Sequence, residues 1–205
     1  MILQKQIVPI FPVPIYYSNL NRKFTKKENN FFKKITSKNV SNFGNTVSSN
    51  NYVFNNKALK TIKEEINIRL EDYLNKILQP KNNINLYITQ SWINTTTKNQ
   101  YHHAHAHPNS HVSGVLYLNA DPKVDRIYFV KDSNPRVSLK TKNYNMFNST
   151  SWFFPVKPGD LLIFPSSTNH YVAQKKENNK RISLSFNTFV KGKLGDNVSL
   201  NELFL

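Results

Sequence analysis

Apolar and polar positions change rhythm near residue 85 of this 205-residue chain. Before that point the period is helical. Over residues 57–78, Leu59, Ile62, Ile66, Leu70, Tyr73, Leu74 and Ile77 recur every 3.6 residues with charged residues between them, which predicts an amphipathic helix. Pro80, Asn82 and Asn83 stop it. Phe31, Phe32 and Ile35 fall in helical register within 26–35 and predict a shorter helix. Residues 7–17, IVPIFPVPIYY, alternate apolar residues with prolines and read as an edge strand or extended arm. Residues 37–56, rich in Ser and Asn around Gly44, read as a loop.

Beyond residue 85 short β-rich runs follow one another between polar turns: 85–96, 112–119, 126–130, 161–164, 169–173 and 181–190. This spacing predicts a sandwich or barrel rather than alternating β-α units. Pro158, Gly159 and Asp160 predict a tight turn into a buried strand at 161–164. Residues 131–150 are polar and aperiodic, a surface excursion of the length that often forms a lid. In the last run Arg181, Ser183, Ser185 and Asn187 share one parity, while Ile182, Leu184 and Phe186 share the other. The polar face suits solvent, or, with an arginine at its head, the bidentate capture of a carboxylate.

Composition narrows the class. An apolar content of 39%, with 13% aromatic, is that of a folded chain long enough for one domain with a sizeable core. No run approaches the eighteen apolar residues of a membrane span. Prolines interrupt the N-terminal run that a signal peptide would need, so a cytoplasmic protein is expected. The chain has no cysteine, which removes disulfides and thiolate metal sites and leaves nitrogen and oxygen as the available ligands. Twenty-eight Lys and Arg against 12 Asp and Glu give a net charge of +16, compatible with a nucleic-acid partner. The lysines, however, are spread along the whole chain among many asparagines, as AT-rich coding would produce, and no basic-aromatic recognition motif accompanies them.

Five of the six histidines lie in residues 100–114, QYHHAHAHPNSHVSG, at positions 102, 103, 105, 107 and 111; His170 stands alone, eleven residues before Arg181. Imidazole is the commonest metal-binding side chain near neutral pH. In an extended strand residues i and i+2 share a face about 7 Å apart, so His105 and His107 can reach one ion, whereas a helix would splay them. The plainer alternative is a surface cluster that picks up metal adventitiously.

The pieces Trp92 and Asn94, HAHPNS at 105–110, SGVLYL at 113–118, PGDLLIFP at 158–165, His170 and RISLSFN at 181–187 together resemble the 2-oxoglutarate/iron(II) oxygenases of marine phages and bacteria. The resemblance runs in order over roughly residues 85–190, and the Phe-Pro-containing N-terminus and long helix look like that family's leading segment. It implies a mainly β protein with N-terminal helices: a double-stranded β-helix, a jelly-roll or cupin-like barrel of two sheets with helices packed on one of them. It also implies a single oxygenase domain over 1–205. Residues 1–84 would form an arm and supporting helices, 85–190 the core and 191–205 a C-terminal extension.

For the site, the resemblance implies that His105, His107 and His170 hold Fe(II), and that Arg181 clamps the distal carboxylate of 2-oxoglutarate. Ser183 and Tyr117 would assist at that carboxylate, with Asn94 as a first-strand contact. The implied reaction is that of a dioxygenase, a hydroxylase that consumes O2 and 2-oxoglutarate and releases succinate and CO2. Its substrate, whether small molecule, protein or nucleic acid, is not written in the sequence; the loops 37–56 and 131–150 are expected to select it. A phage-encoded enzyme of this kind would work in the host cytoplasm, with no membrane partner.

One departure stands out. The wider superfamily uses two histidines and a carboxylate, but here the motif is His-x-His and residues 100–114 contain no Asp or Glu. Either three neutral imidazoles bind, leaving a dipositive metal with three open positions, or His105 (alternatively His103) and His170 bind with water or an anion in the third place. Three imidazoles would favour an anionic cosubstrate and would also suit Zn, Cu and Ni. His102, His103 and His111 then flank the metal or lie at the surface. Two other classes compete. A cupin-like three-histidine metalloprotein would ignore 2-oxoglutarate, but the cupin pattern wants a glutamate shortly after His-x-His, where this chain has Asn109, Ser110 and His111. A basic nucleic-acid-binding protein with a structural metal would bind in a strongly salt-dependent way.

Overall fold

The computed structural model describes residues 7–132, 137 and 139–205. Parts of two expected segments, residues 1–6 of the arm and 133–136 and 138 of the 131–150 excursion, lie outside the described residues.

Strand β1 (Tyr16–Asn19) leads into helix α1 (Lys26–Thr36), the hairpin β2 (Asn39–Ser41) and β3 (Thr46–Ser48), and helix α2 (Lys60–Tyr73). The barrel strands follow: β4 (Ile84–Thr96), β5 (His102–His105), β6 (Val112–Asn119), β7 (Arg126–Val130), β8 (Ser151–Pro155), β9 (Asp160–Pro165), β10 (His170–Val172) and β11 (Arg181–Leu194), with the short β12 (Leu203–Phe204) at the end. One sheet has the order β1-β9-β6-β11-β4-β3-β2, with β12 beside β11; the other is β5-β10-β7-β8. From β4 to β11 the chain crosses between sheets at nearly every step, which wraps two antiparallel sheets into a jelly-roll barrel.

Both faces of the larger sheet are buried, and that fixes where the site lies. Its outer face carries Ile93, Leu116, Leu161, Ile163, Leu184 and Phe186 against Ile62, Ile66, Leu70 and Tyr73 of α2. This is the apolar parity of β11, and burying a side chain such as Phe186 contributes about 1.5–3 kcal/mol. Gly114 makes room for that ring, since a Cβ there would stand 2.2 Å from Phe186 Cζ. Between the sheets Val115, Tyr117, Ile127, Phe129, Leu162 and Phe164 close one part of the interior. The polar parity of β11 therefore points into the barrel rather than into solvent. Helix α1 starts on a capping box between Thr25 and Glu28, and Arg22 bonds both Glu28 and Glu65, tying α1 to α2.

Three local expectations differ from the structure. The helix over 57–78 is a 3-10 turn (Lys57–Leu59), then α2, then a π-helical turn (Leu74–Leu78). The extra residue in that turn slips the apolar stripe, so Leu74 is buried while Ile77 is 37% exposed. The expected loop 37–56 contains the β2–β3 hairpin, which extends the large sheet beyond β4. Its polar residues serve the sheet: Ser48 Oγ accepts from Ile93 N at 3.0 Å. Strand β8 was not expected, because the run Trp152, Phe153, Phe154 does not alternate; it pairs with β7 at the sheet edge. Among the described residues no helix is long and apolar enough to cross a membrane.

Candidate active site

The antiparallel pairing of β5 with β10 sets His105 directly opposite His170. Two residues past His105 the chain has left the strand, and a bond from His107 N to Ser166 O, 2.9 Å, turns that residue back over the same space. One ligating nitrogen from each of His105, His107 and His170 lies within 4.8 Å of the others. Nε2 of His105 and Nε2 of His107 are 3.2 Å apart.

Each ring is held through its other nitrogen. His105 Nδ1 donates to the main-chain oxygen of His103 at 2.8 Å, and His170 Nδ1 donates to that of Thr168 at 3.0 Å. His107 Nδ1 donates to Asn187 Oδ1 at 2.5 Å, beside Ser113 Oγ, which donates to the same oxygen at 2.9 Å. With the proton fixed on Nδ1, every Nε2 presents a lone pair to the shared space. Two such lone pairs at 3.2 Å with no proton between them repel, and a cation in that space removes the repulsion. Metal–nitrogen bonds of about 2.1 Å at right angles put two nitrogens about 3.0 Å apart, so the donor set fits a first-row divalent ion. Burial pushes the His170 imidazole down to about 3, with His105 adding to it, and burial likewise lowers His105 and His107. All three are neutral at pH 7, the form in which imidazole binds metal.

Above the imidazoles an open cleft of about 640 Å³ is lined by Asn42, Tyr52, Gln90, Trp92, His102 and Asn109, among others. The Trp92 and His107 ring centroids stand 5.7 Å apart, and those of Phe164 and His170, in a T-shaped contact, 4.8 Å apart. Asn42 and Tyr52 come from the segment 37–56.

Deeper on the same inner face, Arg181 is 4% exposed. Its Nη2 donates to Thr96 Oγ1 at 3.0 Å, and among the described residues no carboxylate lies within ion-pair distance of it. Burial pulls its pKa down, while Tyr117 and Asp125 nearby push it up. Ser183 lies opposite Tyr117 of β6 on one side and Asn94 of β4 on the other. Burial drives the Tyr117 phenol far up, so its hydroxyl stays protonated. Asn94 donates from Nδ2 to Ser185 Oγ at 3.0 Å, and its Oδ1 is buried without a hydrogen-bond partner. Along β6, Ser113 at the imidazoles and Tyr117 at the arginine are four residues apart, about 13 Å. A metal and a five-carbon diacid fill such a span.

The site residues expected from the sequence thus fall into two groups on one inner surface: His105, His107 and His170, then Asn94, Tyr117, Arg181 and Ser183. His103 is outside the nitrogen cluster; it supplies a main-chain oxygen while its ring lies 5.2 Å from Phe43. His102 stacks on His105 at 4.4 Å, and His111 is exposed. Sequence reasoning gave no role to Asn187 or Ser113, which orient His107. The signal was the polar parity shared by Arg181 and Asn187, read only at its arginine end.

Residues 90–187 match the family model described as "Putative 2OG-Fe(II) oxygenase". No curated protein sequence matches the chain. Among solved structures, HygX from Streptomyces hygroscopicus, with nickel, 2-oxoglutarate and hygromycin B bound, aligns with a TM-score of 0.59 at 13% identity, over 86% of this chain and 82% of its own. A Pseudomonas putida prolyl-4-hydroxylase aligns at 0.55 and 13% identity, over 86% and 94%. A 2OG-Fe(II) oxygenase family protein from Burkholderia pseudomallei aligns at 0.55 and 14% identity, over 85% and 84%. At these identities the three structures speak for the fold.

Proposed function

We propose that this chain, whose residues 90–187 match the 2OG-Fe(II) oxygenase family model, binds iron through His105, His107 and His170 and receives the distal carboxylate of 2-oxoglutarate at Arg181. The observation that carries these roles is the buried guanidinium of Arg181, which lacks a carboxylate partner among the described residues and lies on the same inner surface as three converging Nε2 lone pairs. A barrel that bound metal but ignored 2-oxoglutarate would leave that cation buried and unpaired, a costly arrangement.

Bound Fe(II), with 2-oxoglutarate and O2, supplies the oxidising power and leaves succinate and CO2. The chain's own residues do the positioning. Arg181 fixes the far end of the cosubstrate, with the hydroxyls of Ser183 and Tyr117 as further donors to the same carboxylate. Asn94 lines the first-strand side. Three neutral imidazoles leave the metal's double positive charge intact, which matches a dianionic cosubstrate. Asn187 and Ser113 keep His107 aimed, and Trp92 walls the reacting space from solvent.

The substrate reaches the metal through the cleft edged by Asn42, Tyr52, Gln90 and Asn109. The lining offers amides, imidazoles and aromatic faces and, among the described residues, neither a carboxylate nor a lysine or arginine, so the substrate class is a neutral, polar small molecule, hydroxylated in the cytoplasm by one functional unit spanning 1–205. Anaerobic titration of the Fe(II)-loaded protein with 2-oxoglutarate tests the site. A visible charge-transfer band that saturates with cosubstrate is expected, and it should vanish in His170→Ala. A wild-type protein that gives no band overturns the proposal.

A further inference from the structure

A buried ion pair that the oxygenase chemistry does not use lies beside the arginine. Lys175 Nζ bonds Asp125 Oδ1 at 2.7 Å, with both side chains 3% exposed. The other carboxylate oxygen of Asp125 accepts from Asn179 Nδ2 and from Asp121 N, each at 2.9 Å. Asn179 stands two residues ahead of Arg181, and Asn119 Nδ2 bonds the intervening Lys180 carbonyl at 2.6 Å, so Asp125 is fastened to the start of β11. Lys175 is itself clamped by main-chain bonds to Asn99 and Gln100 at 2.7 and 2.8 Å. A second buried acid on this inner face, Asp160, is taken up by Tyr17 Oη, Asn19 Nδ2 and Lys157 N.

A buried guanidinium next to a buried carboxylate would ordinarily pair with it, because each is costly alone. Here the two stay apart, and every oxygen of Asp125 is claimed by another donor. We infer that Lys175 is a positioning residue for cosubstrate binding: by holding Asp125 it keeps that carboxylate off Arg181, so the guanidinium finds its counter-charge in the ligand. The inference rests on the role proposed for Arg181. Without Lys175, Asp125 becomes a buried anion whose strongest available partner is Arg181, and the internal carboxylate then competes with the one on 2-oxoglutarate.

The test is a double-mutant cycle on the Fe(II)-loaded protein, read by anaerobic 2-oxoglutarate titration and by the KM for 2-oxoglutarate. Lys175→Met should weaken cosubstrate binding by about tenfold or more. The kcat at saturating 2-oxoglutarate should be retained. Lys175→Met with Asp125→Asn, which removes the competitor, should return affinity to within about threefold of wild type, a rescue that loss of packing alone would not give. Unchanged affinity in Lys175→Met, or a double variant as weak as the single one, overturns the inference and leaves the oxygenase site standing. Should Lys175→Met fail to fold, Asp125→Asn alone decides. The inference requires its affinity to stay at or above wild type, and a loss overturns it. A wild-type protein that does not bind 2-oxoglutarate removes the site itself, and this inference with it.

Discussion

Asn187 accepts the Nδ1 proton of His107 at 2.5 Å while sharing one face of β11 with Arg181, six residues away. A single strand thus orients a metal-binding imidazole at one point and presents the carboxylate clamp at another. Loss of the amide frees the His107 ring to rotate and to exchange its proton between nitrogens. Asn187→Ala should therefore weaken Fe(II) or Co(II) binding about 10–100-fold, the usual cost of removing the partner of a ligating histidine. Metal titration followed by absorbance or calorimetry measures it, and an affinity equal to wild type would contradict the orienting role.

Arg181→Ala should cost about 2–5 kcal/mol in 2-oxoglutarate affinity, since a buried carboxylate loses its charge-assisted partner. Arg181→Lys should recover only part of that, because an ammonium does not reproduce the planar two-pronged contact. Metal affinity should be unchanged in both variants, which separates this site from the imidazole site. The charge-transfer titration reads the cosubstrate affinity, and a Co(II) titration without 2-oxoglutarate reads the metal affinity.

Much of this arrangement could be read from the chain, and the omissions have physical reasons. The two-residue step from His105 to His107 carries the strand geometry with it, and the parity of Arg181, Ser183, Ser185 and Asn187 marks a two-faced strand. Alternation says that two faces differ but not which one is inside. Only the packing of α2 against Leu184 and Phe186 turns the polar face inward. Asn187 and Ser113 escaped notice because an amide and a hydroxyl on a polar face look like any others until His107 is folded back onto them. The β2–β3 hairpin was hidden by a Ser- and Asn-rich composition that sheets and loops share, and the Lys175–Asp125 pair joins residues fifty positions apart. The resemblance of the linear motifs to the oxygenases supplied what periodicity could not, the pairing of His170 with the His-x-His.

Acid should destabilise the metal-free protein. The His170 imidazole is held down to about 3, chiefly by burial, and burial lowers His105 and His107 as well. In the unfolded chain these groups titrate near their ordinary value of about 6.5. Folded imidazoles stay neutral while unfolded ones take up protons, so stability is level above that value and falls as the pH drops through it. His170 alone should account for about 2 kcal/mol between pH 7.5 and 5. Denaturant melts of the apo protein at pH 7.5, 6 and 5 check the trend, and His170→Gln should flatten it.

Gly114→Ala tests the packing beneath the site. Gly114 sits opposite Phe186 where β6 crosses β11, one residue from Ser113. A methyl group there would meet the Phe186 ring, 2.2 Å from Cζ and 2.8 Å from both Cε atoms. The ring is fully buried between the sheet and Phe54, with which it makes a 6.2 Å aromatic contact, so it has little room to withdraw. Overpacking of this kind costs about 1–3 kcal/mol. Because β6 also carries Ser113, any shift of the strand moves the hydroxyl that braces Asn187 Oδ1. Gly114→Ala should thus lower both the thermal midpoint and metal affinity. Gly114→Ala with Phe186→Leu, which empties the contested volume, should recover the metal affinity more fully than the midpoint, since the smaller side chain leaves part of the outer core unfilled.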